Sequence, residues 1–192
     1  MGNIITGIHP TRIETVDDHR ILIFDNLFSR KEIVRLHEVM SLSNFTFLHS
    51  SRFDTKKYRE WMADFSIEDF EKHVLHEKAK SVAEQFANHD RALQCYNVFC
   101  NASTYGNQSF IHSDSYDKTN ISVLYYVNAN WKSDWGGETI FFDKNQEARV
   151  AIGFKPGRMI VFDAETVHRA GLPSRICPEV RLTLSVRFQN AL

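Results

Sequence analysis

Two histidines and one aspartate have the residue types and spacing of a metal-ligand set. His112 and Asp114 stand two positions apart in FIHSD, and residues two apart share one face of a β-strand. His168 follows His112 by 56 residues, in FDAETVHRAG. Two histidines and one carboxylate on adjacent strands form the facial set that holds non-haem Fe(II) and leaves coordination sites open. A His-x-Asp pair or a second histidine is common by chance in a chain with nine histidines. The motifs that surround these residues therefore decide whether they form a metal site.

The last predicted strand, RLTLSVRF, alternates apolar and polar side chains. One face carries the apolar side chains of Leu182, Leu184, Val186 and Phe188. The other face carries the polar side chains of Arg181, Thr183, Ser185 and Arg187. We expect the apolar face to pack against helices. The polar face is either an ordinary solvent-exposed face or the wall of a pocket that holds an anion.

The ordered set of motifs resembles the Fe(II)- and 2-oxoglutarate-dependent dioxygenases, in the prolyl 4-hydroxylase-like branch. The resemblance extends over about residues 96–188 and rests on FIHSD, SVLYYVNANWKSDWGGETIFF, FKPGRMIVFDAETVHRAG and RLTLSVRF. It implies a mainly β fold with supporting α-helices, a double-stranded β-helix (jelly-roll or cupin-like) barrel. It also implies a hydroxylase that uses O2 to hydroxylate an unactivated C–H bond, with release of succinate and CO2. Fe(II), 2-oxoglutarate as cosubstrate and ascorbate as reductant are the cofactors that follow.

The resemblance also assigns roles to individual residues. The two histidines and the aspartate would bind Fe(II) and act as the catalytic centre. Arg181 would form a bidentate salt bridge with the distal carboxylate of 2-oxoglutarate, and Thr183 would add a hydroxyl to the same group. Tyr126 corresponds to a tyrosine that reaches this end of the cosubstrate, and Tyr105 is a second candidate. For both tyrosines, packing in the core or at the rim is the alternative.

Three further residues are candidates for substrate contacts. Arg187 shares a face with Arg181 and would bind a substrate carboxylate, unless it is an exposed arginine at the strand end. Trp135 flanks a glycine pair and would form part of an aromatic wall or cover the barrel edge. Tyr116 follows the metal motif closely. The substrate is expected to be an amino acid, a peptidyl (prolyl-like) residue or a small metabolite, and its identity is open.

The elements that would position these residues follow from periodicity. Ser29 and Glu32 form a capping-box pattern, which predicts a helix, and an apolar stripe predicts a second helix from residue 66 to about 88. The polar stretch at residues 50–64 is interpreted as a loop or lid. Short strands are predicted at about 20–24, 44–48, 92–100, 109–113, 121–127, 138–142, 148–153, 158–162, 167–170 and 180–188. We expect one domain over residues 1–192, with helical support at about 1–90 and a catalytic β core at about 92–188.

Composition excludes several partners. The formal charge of −1, from 23 basic and 24 acidic residues, gives no electrostatic case for binding nucleic acid or an anionic membrane. The chain has no apolar run of the roughly 20 residues that cross a bilayer, and no secretion signal is visible at the N-terminus. Three cysteines without a C-x-x-C pair predict reduced thiols in a cytoplasmic protein. The expected partners are the substrate and O2, and the oligomeric state is open.

Two other functions are compatible with parts of this pattern. A zinc-dependent hydrolase could use the same three ligands, because Zn(II) accepts histidine and carboxylate. It would lack an obvious general base and would leave Arg181 unexplained. A non-catalytic barrel that only binds a ligand is the second alternative, but such a protein would have no reason to keep the three ligands and Arg181 together.

Overall fold

The computed structural model describes residues 8–88 and 92–191. Its strands are β1 (Arg12–Val16), β2 (His19–Phe24), β3 (Thr46–His49), β4 (Glu60–Asp64), β5 (Leu93–Ser103), β6 (Ile121–Tyr126), β7 (Thr139–Phe142), β8 (Ala148–Ile152), β9 (Met159–Asp163), β10 (His168–Ala170) and β11 (Arg181–Asn190). Its α-helices are α1 (Arg30–Ser41), α2 (Ile67–Glu71) and α3 (Val74–Phe86). The prediction of no secretion signal falls partly on residues 1–7, which lie outside the described residues.

The strands form two antiparallel sheets. The larger sheet has eight strands in the order β1-β2-β9-β6-β11-β5-β4-β3, and the smaller has three in the order β10-β7-β8. Strand β11 is central, because it pairs with β5 on one side and with β6 on the other. The sheets do not close into a continuous barrel. They are the open, two-sheet form of the predicted double-stranded β-helix.

The helices cover one face of the larger sheet. The apolar side chains of β11 lie in one buried cluster with residues of α1 and α3, as the alternation of RLTLSVRF predicts. The β11 members are Leu182, Leu184, Val186 and Phe188, and the helical members include Leu36, Met40, Leu75, Ala79 and Val82. This burial leaves the opposite, polar face of β11 directed between the sheets.

A second apolar cluster fills the space between the two sheets. Phe141 of β7 and Phe162 of β9 meet edge to face, with ring centroids 5.0 Å apart. Tyr126 of β6 stacks on Phe154, with ring centroids 4.5 Å apart. Aromatic pairs of this kind fix the spacing of two sheets at native packing density.

Three predicted elements differ from the structure. The second predicted helix is broken into α2 and α3, because the His73 side chain accepts a hydrogen bond from the Leu75 N–H and starts a new helix. The predicted loop at 50–64 ends in strand β4, which pairs with β5. The predicted strand at 109–113 is reduced to a single β-bridge between His112 and His168. The structure also contains β1, which periodicity did not predict.

The three cysteines are free thiols that differ in burial. Cys95 and Cys100 are buried free thiols, and Cys177 is a partly buried one. Burial raises the pKa of Cys95 to about 11 and that of Cys100 to about 12, so both stay protonated and unreactive near neutral pH. Within residues 8–88 and 92–191, no helix has the length and apolar character that crossing a membrane requires.

Candidate metal centre and cosubstrate pocket

The three predicted metal ligands converge on one point. One ligand atom from each of His112, Asp114 and His168 lies within 4.8 Å of the other two. Nε2 of His112 is 3.6 Å from Oδ1 of Asp114, and Nε2 of His168 is 3.8 Å from Oδ2 of the same carboxylate. These separations are longer than hydrogen bonds, and they leave room for an ion between the donors.

Backbone hydrogen bonds hold the two motifs together. The N–H of His112 donates to the carbonyl of His168, and the N–H of His168 donates to the carbonyl of His112, both at 2.9 Å. The N–H of Asp114 donates to the carbonyl of Ala164 at 2.8 Å. The metal motif is therefore fixed to the β9–β10 connection although it lies in no regular strand.

Both imidazoles are oriented by the carbonyl two residues before them. Nδ1 of His112 is 2.9 Å from the carbonyl oxygen of Phe110, and Nδ1 of His168 is 2.9 Å from that of Thr166. A ring nitrogen that faces a carbonyl oxygen carries the hydrogen, so the lone pair is on Nε2, which faces Asp114. This outer hydrogen bond is the arrangement that metal-binding histidines use.

Asp114 has two further partners that the sequence did not reveal. The hydroxyl of Ser122 donates to Oδ2 at 2.7 Å, and Nη2 of Arg187 donates to Oδ1 at 2.5 Å. The guanidinium of Arg187 is thus engaged by Asp114. The buried Nε of Arg187 has no hydrogen-bond partner among the described residues, so contact with a substrate carboxylate stays a prediction for this residue.

The charges of Asp114 and His168 suit metal binding, whereas burial at His112 is outweighed by the neighbouring Asp114, which raises the pKa of His112. Burial works to raise the pKa of Asp114, but attraction by His168, His112 and Arg187 outweighs it and holds that pKa below its ordinary value. Burial lowers the pKa of His168 to about 4, so this imidazole is neutral near pH 7. A carboxylate and a neutral imidazole are the protonation states that ligate metals. With two nitrogens and one carboxylate oxygen, the donor set fits Fe(II).

Arg181 is buried beside this centre with only 2% of its surface exposed. Its Nε donates to the carbonyl of Gly137 at 2.9 Å, and its Nη1 donates to the Thr183 hydroxyl at 2.5 Å. No carboxylate of the described residues lies within ion-pair distance of this guanidinium. A buried cation that lacks an anion is costly, so the site fits an anionic ligand such as a dicarboxylate.

Gly137 allows Arg181 to lie where it does. Its φ is +84°, a conformation that favours glycine, and an added Cβ would be 3.3 Å from Cδ of Arg181 and 3.0 Å from the ring of Trp131. The glycine pair beside Trp135 therefore also leaves the space that the Arg181 side chain occupies.

A cavity of about 170 Å³ connects the metal-ligand candidates with Arg181. Arg181, Thr183, Ser185 and Arg187 of β11 line it, as expected if this face looks into a pocket. Its other wall comes from His49 at the end of β3 and from Ser51, Glu60 and Trp61 of the segment interpreted as a lid. The hydroxyl of Ser51 donates to Glu60 at 3.2 Å and joins the two ends of this segment. No motif or spacing in the sequence indicated a role for Ser51, Glu60 or Ser122.

Tyr126 lies next to this cavity rather than in its wall. Its hydroxyl donates to the Thr139 hydroxyl at 2.7 Å and is 3.1 Å from the Ile152 carbonyl oxygen. Its ring centre is 5.7 Å from the guanidinium carbon of Arg181, and Thr139 itself lines the cavity. The tyrosine is therefore at the predicted end of the pocket, with Thr139 between its hydroxyl and the cavity.

Three other predicted contact residues do not line the cavity. Tyr105 is 63% exposed in the turn that Asn107 caps, and Tyr116 is 95% exposed in the loop after the metal motif. Trp135 packs edge-on against Trp131, with ring centroids 5.5 Å apart. For Trp135 the contacts correspond to the alternative, an aromatic cover at the edge of the sheet.

Comparisons with known proteins agree with this geometry. A family model described as the 2OG-Fe(II) oxygenase superfamily matches residues 98–188. No curated protein matches the chain. A prolyl hydroxylase from Trichoplax adhaerens, solved with a hypoxia inducible factor peptide, has a TM-score of 0.63 at 15% identity, covering 88% of this chain and 83% of its own. A prolyl-4-hydroxylase from Pseudomonas putida has a TM-score of 0.62 at 14% identity, covering 88% and 92%.

A third similar structure contains the cofactors that the sequence predicts. The epimerase SnoN, solved with Fe3+, alpha ketoglutarate and nogalamycin RO, has a TM-score of 0.62 at 12% identity, covering 89% of this chain and 79% of its own. At these identities the solved structures establish a shared fold, the predicted double-stranded β-helix. The family in turn implies Fe(II) and 2-oxoglutarate, which the donor set and the buried arginine fit. The matched segment, residues 98–188, contains the three metal-ligand candidates, and over this segment the chain resembles the 2OG-Fe(II) oxygenase superfamily.

Proposed function

We propose that the protein is an Fe(II)- and 2-oxoglutarate-dependent hydroxylase. The observation that carries the proposal is the cavity that joins two histidines and an aspartate to a buried arginine without an anionic partner. A zinc hydrolase would need the three ligands but not Arg181. A module that only binds a ligand would need neither the neutral imidazole of His168 nor a convergent donor set.

Each residue of the cavity has a role in this proposal. His112, Asp114 and His168 hold Fe(II), while Ser122 and Arg187 orient the Asp114 carboxylate. When bound, Fe(II) and 2-oxoglutarate supply the oxidising chemistry: O2 is consumed, 2-oxoglutarate gives succinate and CO2, and one oxygen atom enters a substrate C–H bond. The apolar cluster behind the cavity excludes water from these groups.

The cosubstrate end of the pocket depends on Arg181. Its guanidinium is held in place by Gly137 and Thr183, and its free N–H groups bind the distal carboxylate of 2-oxoglutarate. The Thr183 hydroxyl contacts the same carboxylate. Tyr126 is a positioning residue in this proposal, because it hydrogen bonds to Thr139 in the cavity wall.

Hydroxylation is the finer part of the proposal. Solved structures with this fold include an epimerase as well as prolyl hydroxylases. An oxygen atom from O2 in the product would distinguish hydroxylation from epimerisation.

We further propose a single cytoplasmic domain, with ascorbate as reductant and a small-molecule or peptidyl amino-acid substrate. The free, buried cysteines and the peptide bound to the Trichoplax adhaerens enzyme support the compartment and the substrate range.

An anaerobic titration tests the proposal. Fe(II) and 2-oxoglutarate together should give a weak visible charge-transfer band, and Zn(II) with 2-oxoglutarate should give none, because Zn(II) is d¹⁰ and has no such transition. Arg181→Ala should weaken the band's dependence on 2-oxoglutarate, and His112→Ala should abolish it. If 18O from O2 enters a product, the reaction is hydroxylation. A wild-type protein with no band and no succinate release would refute the proposed function.

A further inference from the structure

The cavity wall formed by β4 carries one acidic group. Glu60, at the start of β4, lines the same cavity as the metal-ligand candidates and is half-buried. Its hydrogen-bond partner is the hydroxyl of Ser51, at 3.2 Å. No lysine, arginine or histidine of the described residues lies within ion-pair distance of this carboxylate.

Three aspartates of the described residues with side chains less than 10% exposed are each paired with a basic side chain. Asp25 is bonded to Arg158 and Lys155, Asp114 to Arg187, and Asp143 to Arg149. Glu60 differs, although burial raises its pKa and so makes its charged form costly. A carboxylate kept in a cavity wall without a cation is a feature of a binding site rather than of a folded core.

The positive groups of the cavity have other partners. Arg187 is paired with Asp114, and Arg181 is held by Gly137 and Thr183 at the cosubstrate end. His49 lies in the same wall, but burial and the charge of Arg187 lower its pKa and keep it neutral. The uncompensated charge on the lid side of the cavity is therefore negative.

The lysines of the lid do not alter this balance. Lys56 places its Nζ 3.9 Å from the ring centre of Phe53, and Lys57 places its Nζ 5.0 Å from that of Tyr58. Neither lysine lines the cavity.

We propose that Glu60 binds a cationic group of the substrate, an ammonium or a guanidinium. This inference rests on the proposed function, because it assumes that substrate enters the cavity next to the metal. It adds a cationic group to the predicted amino-acid substrate, whose carboxylate is the predicted partner of Arg187. The cation can belong to a free amino acid or to a lysyl or arginyl residue in a peptide.

Matched pairs of probes that differ only in charge test this inference. L-lysine is compared with L-norleucine, L-arginine with L-citrulline, and an acetylated, amidated lysyl tripeptide with its norleucyl analogue. Binding is measured anaerobically by calorimetry on protein loaded with Fe(II) and 2-oxoglutarate. At least one cation should bind about ten-fold or more tightly than its neutral partner, as expected for a charge-assisted hydrogen bond. The free and peptide pairs identify the source of the cation.

Variants separate the role of Glu60 from general effects. Glu60→Gln should remove the preference for the cationic probe over its neutral partner. Glu60→Lys should reverse the charge preference of the site, so that this variant binds hexanoate more tightly than hexylamine. Glu38→Gln, the same change on the exposed face of α1, should keep the wild-type preference. Equal binding within every pair, or a preference that survives in Glu60→Gln, would overturn the inference. A charge-transfer band in the same loaded protein shows that such a result concerns Glu60 and leaves the proposed function intact.

Discussion

Asp114 is contacted on both of its carboxylate oxygens by groups other than the histidines. Ser122 donates to one oxygen and Arg187 to the other. These two contacts leave few orientations for the carboxylate. It is therefore already oriented to ligate a metal. Removing one of the contacts should change metal affinity without removing a ligand.

Ser122→Ala should therefore weaken Fe(II) binding by about ten-fold, within the range found for outer-shell partners of metal ligands. The measurement is Fe(II) affinity under anaerobic conditions, with thermal unfolding to verify the fold. Ser41→Ala, at the exposed end of α1, is the matched control. Unchanged Fe(II) affinity in Ser122→Ala would show that the hydrogen bond to Asp114 does not position a metal ligand.

Arg181→Lys tests the opposite end of the cavity. Lysine keeps the charge but loses the planar fork that bonds Gly137, Thr183 and a carboxylate together. The KM for 2-oxoglutarate should rise by about ten- to a hundred-fold, with a smaller change in kcat. Steady-state succinate release measures both constants. A KM equal to that of the wild type would mean that the cosubstrate binds elsewhere.

Residue types and spacing predicted the metal-ligand candidates and Arg181 because they lie in short motifs with fixed strand periodicity. The same reasoning could not place Arg187. Strand alternation gives the face of a side chain, but its partner depends on Asp114, 73 residues away in the chain. Tyr116 and Tyr105 are exposed outside the cavity for a related reason, since nearness in sequence to a motif does not bring a loop side chain into a cavity.

At the scale of elements, the helix starts and the alternating strands were predictable, and the edges of the sheet were not. The capping box at Ser29 is local, and it appears as predicted. Strand β4 and the β-bridge of His112 exist through pairing with distant strands, which local periodicity does not report. The break between α2 and α3 depends on a His73 cap that an amphipathic pattern conceals.

The capping box of α1 is therefore a suitable test of local stabilisation. Ser29→Ala removes the acceptor for the Glu32 N–H and should reduce the free energy of unfolding by about 1 kcal/mol. Urea denaturation measures the change, with Ser41→Ala as the control at the other end of the helix. An effect equal to that of the control would mean that tertiary packing of Ile33, Leu36 and Met40 determines the helix start.

At the scale of the whole molecule, an ion cluster connects the start of the chain to its β core. Asp25 follows β2 and receives hydrogen bonds from Arg158 at 2.6 and 3.0 Å and from Lys155 at 2.9 Å. Arg158 immediately precedes β9, the partner of β2 in the larger sheet. The cluster thus closes the end of a strand pair whose members lie more than a hundred residues apart in the chain.

This cluster makes stability depend on pH in a defined direction. Burial works to raise the pKa of Asp25, but the bonds to Arg158 and Lys155 outweigh it and lower that pKa below the ordinary value of 3.8. A carboxyl group with a lowered pKa stabilises the folded state above its unfolded pKa and loses this contribution as pH falls through the folded one.

Asp25→Asn should therefore lower the free energy of unfolding at pH 7 and should lose less stability than the wild type on acidification below about pH 4. Urea denaturation between pH 2.5 and 7 measures both, with Asp18→Asn in the exposed β1–β2 turn as the control. Parallel pH curves for Asp25→Asn and wild type would show that the charge of Asp25 does not contribute, and that the strand pair holds through its apolar contacts alone.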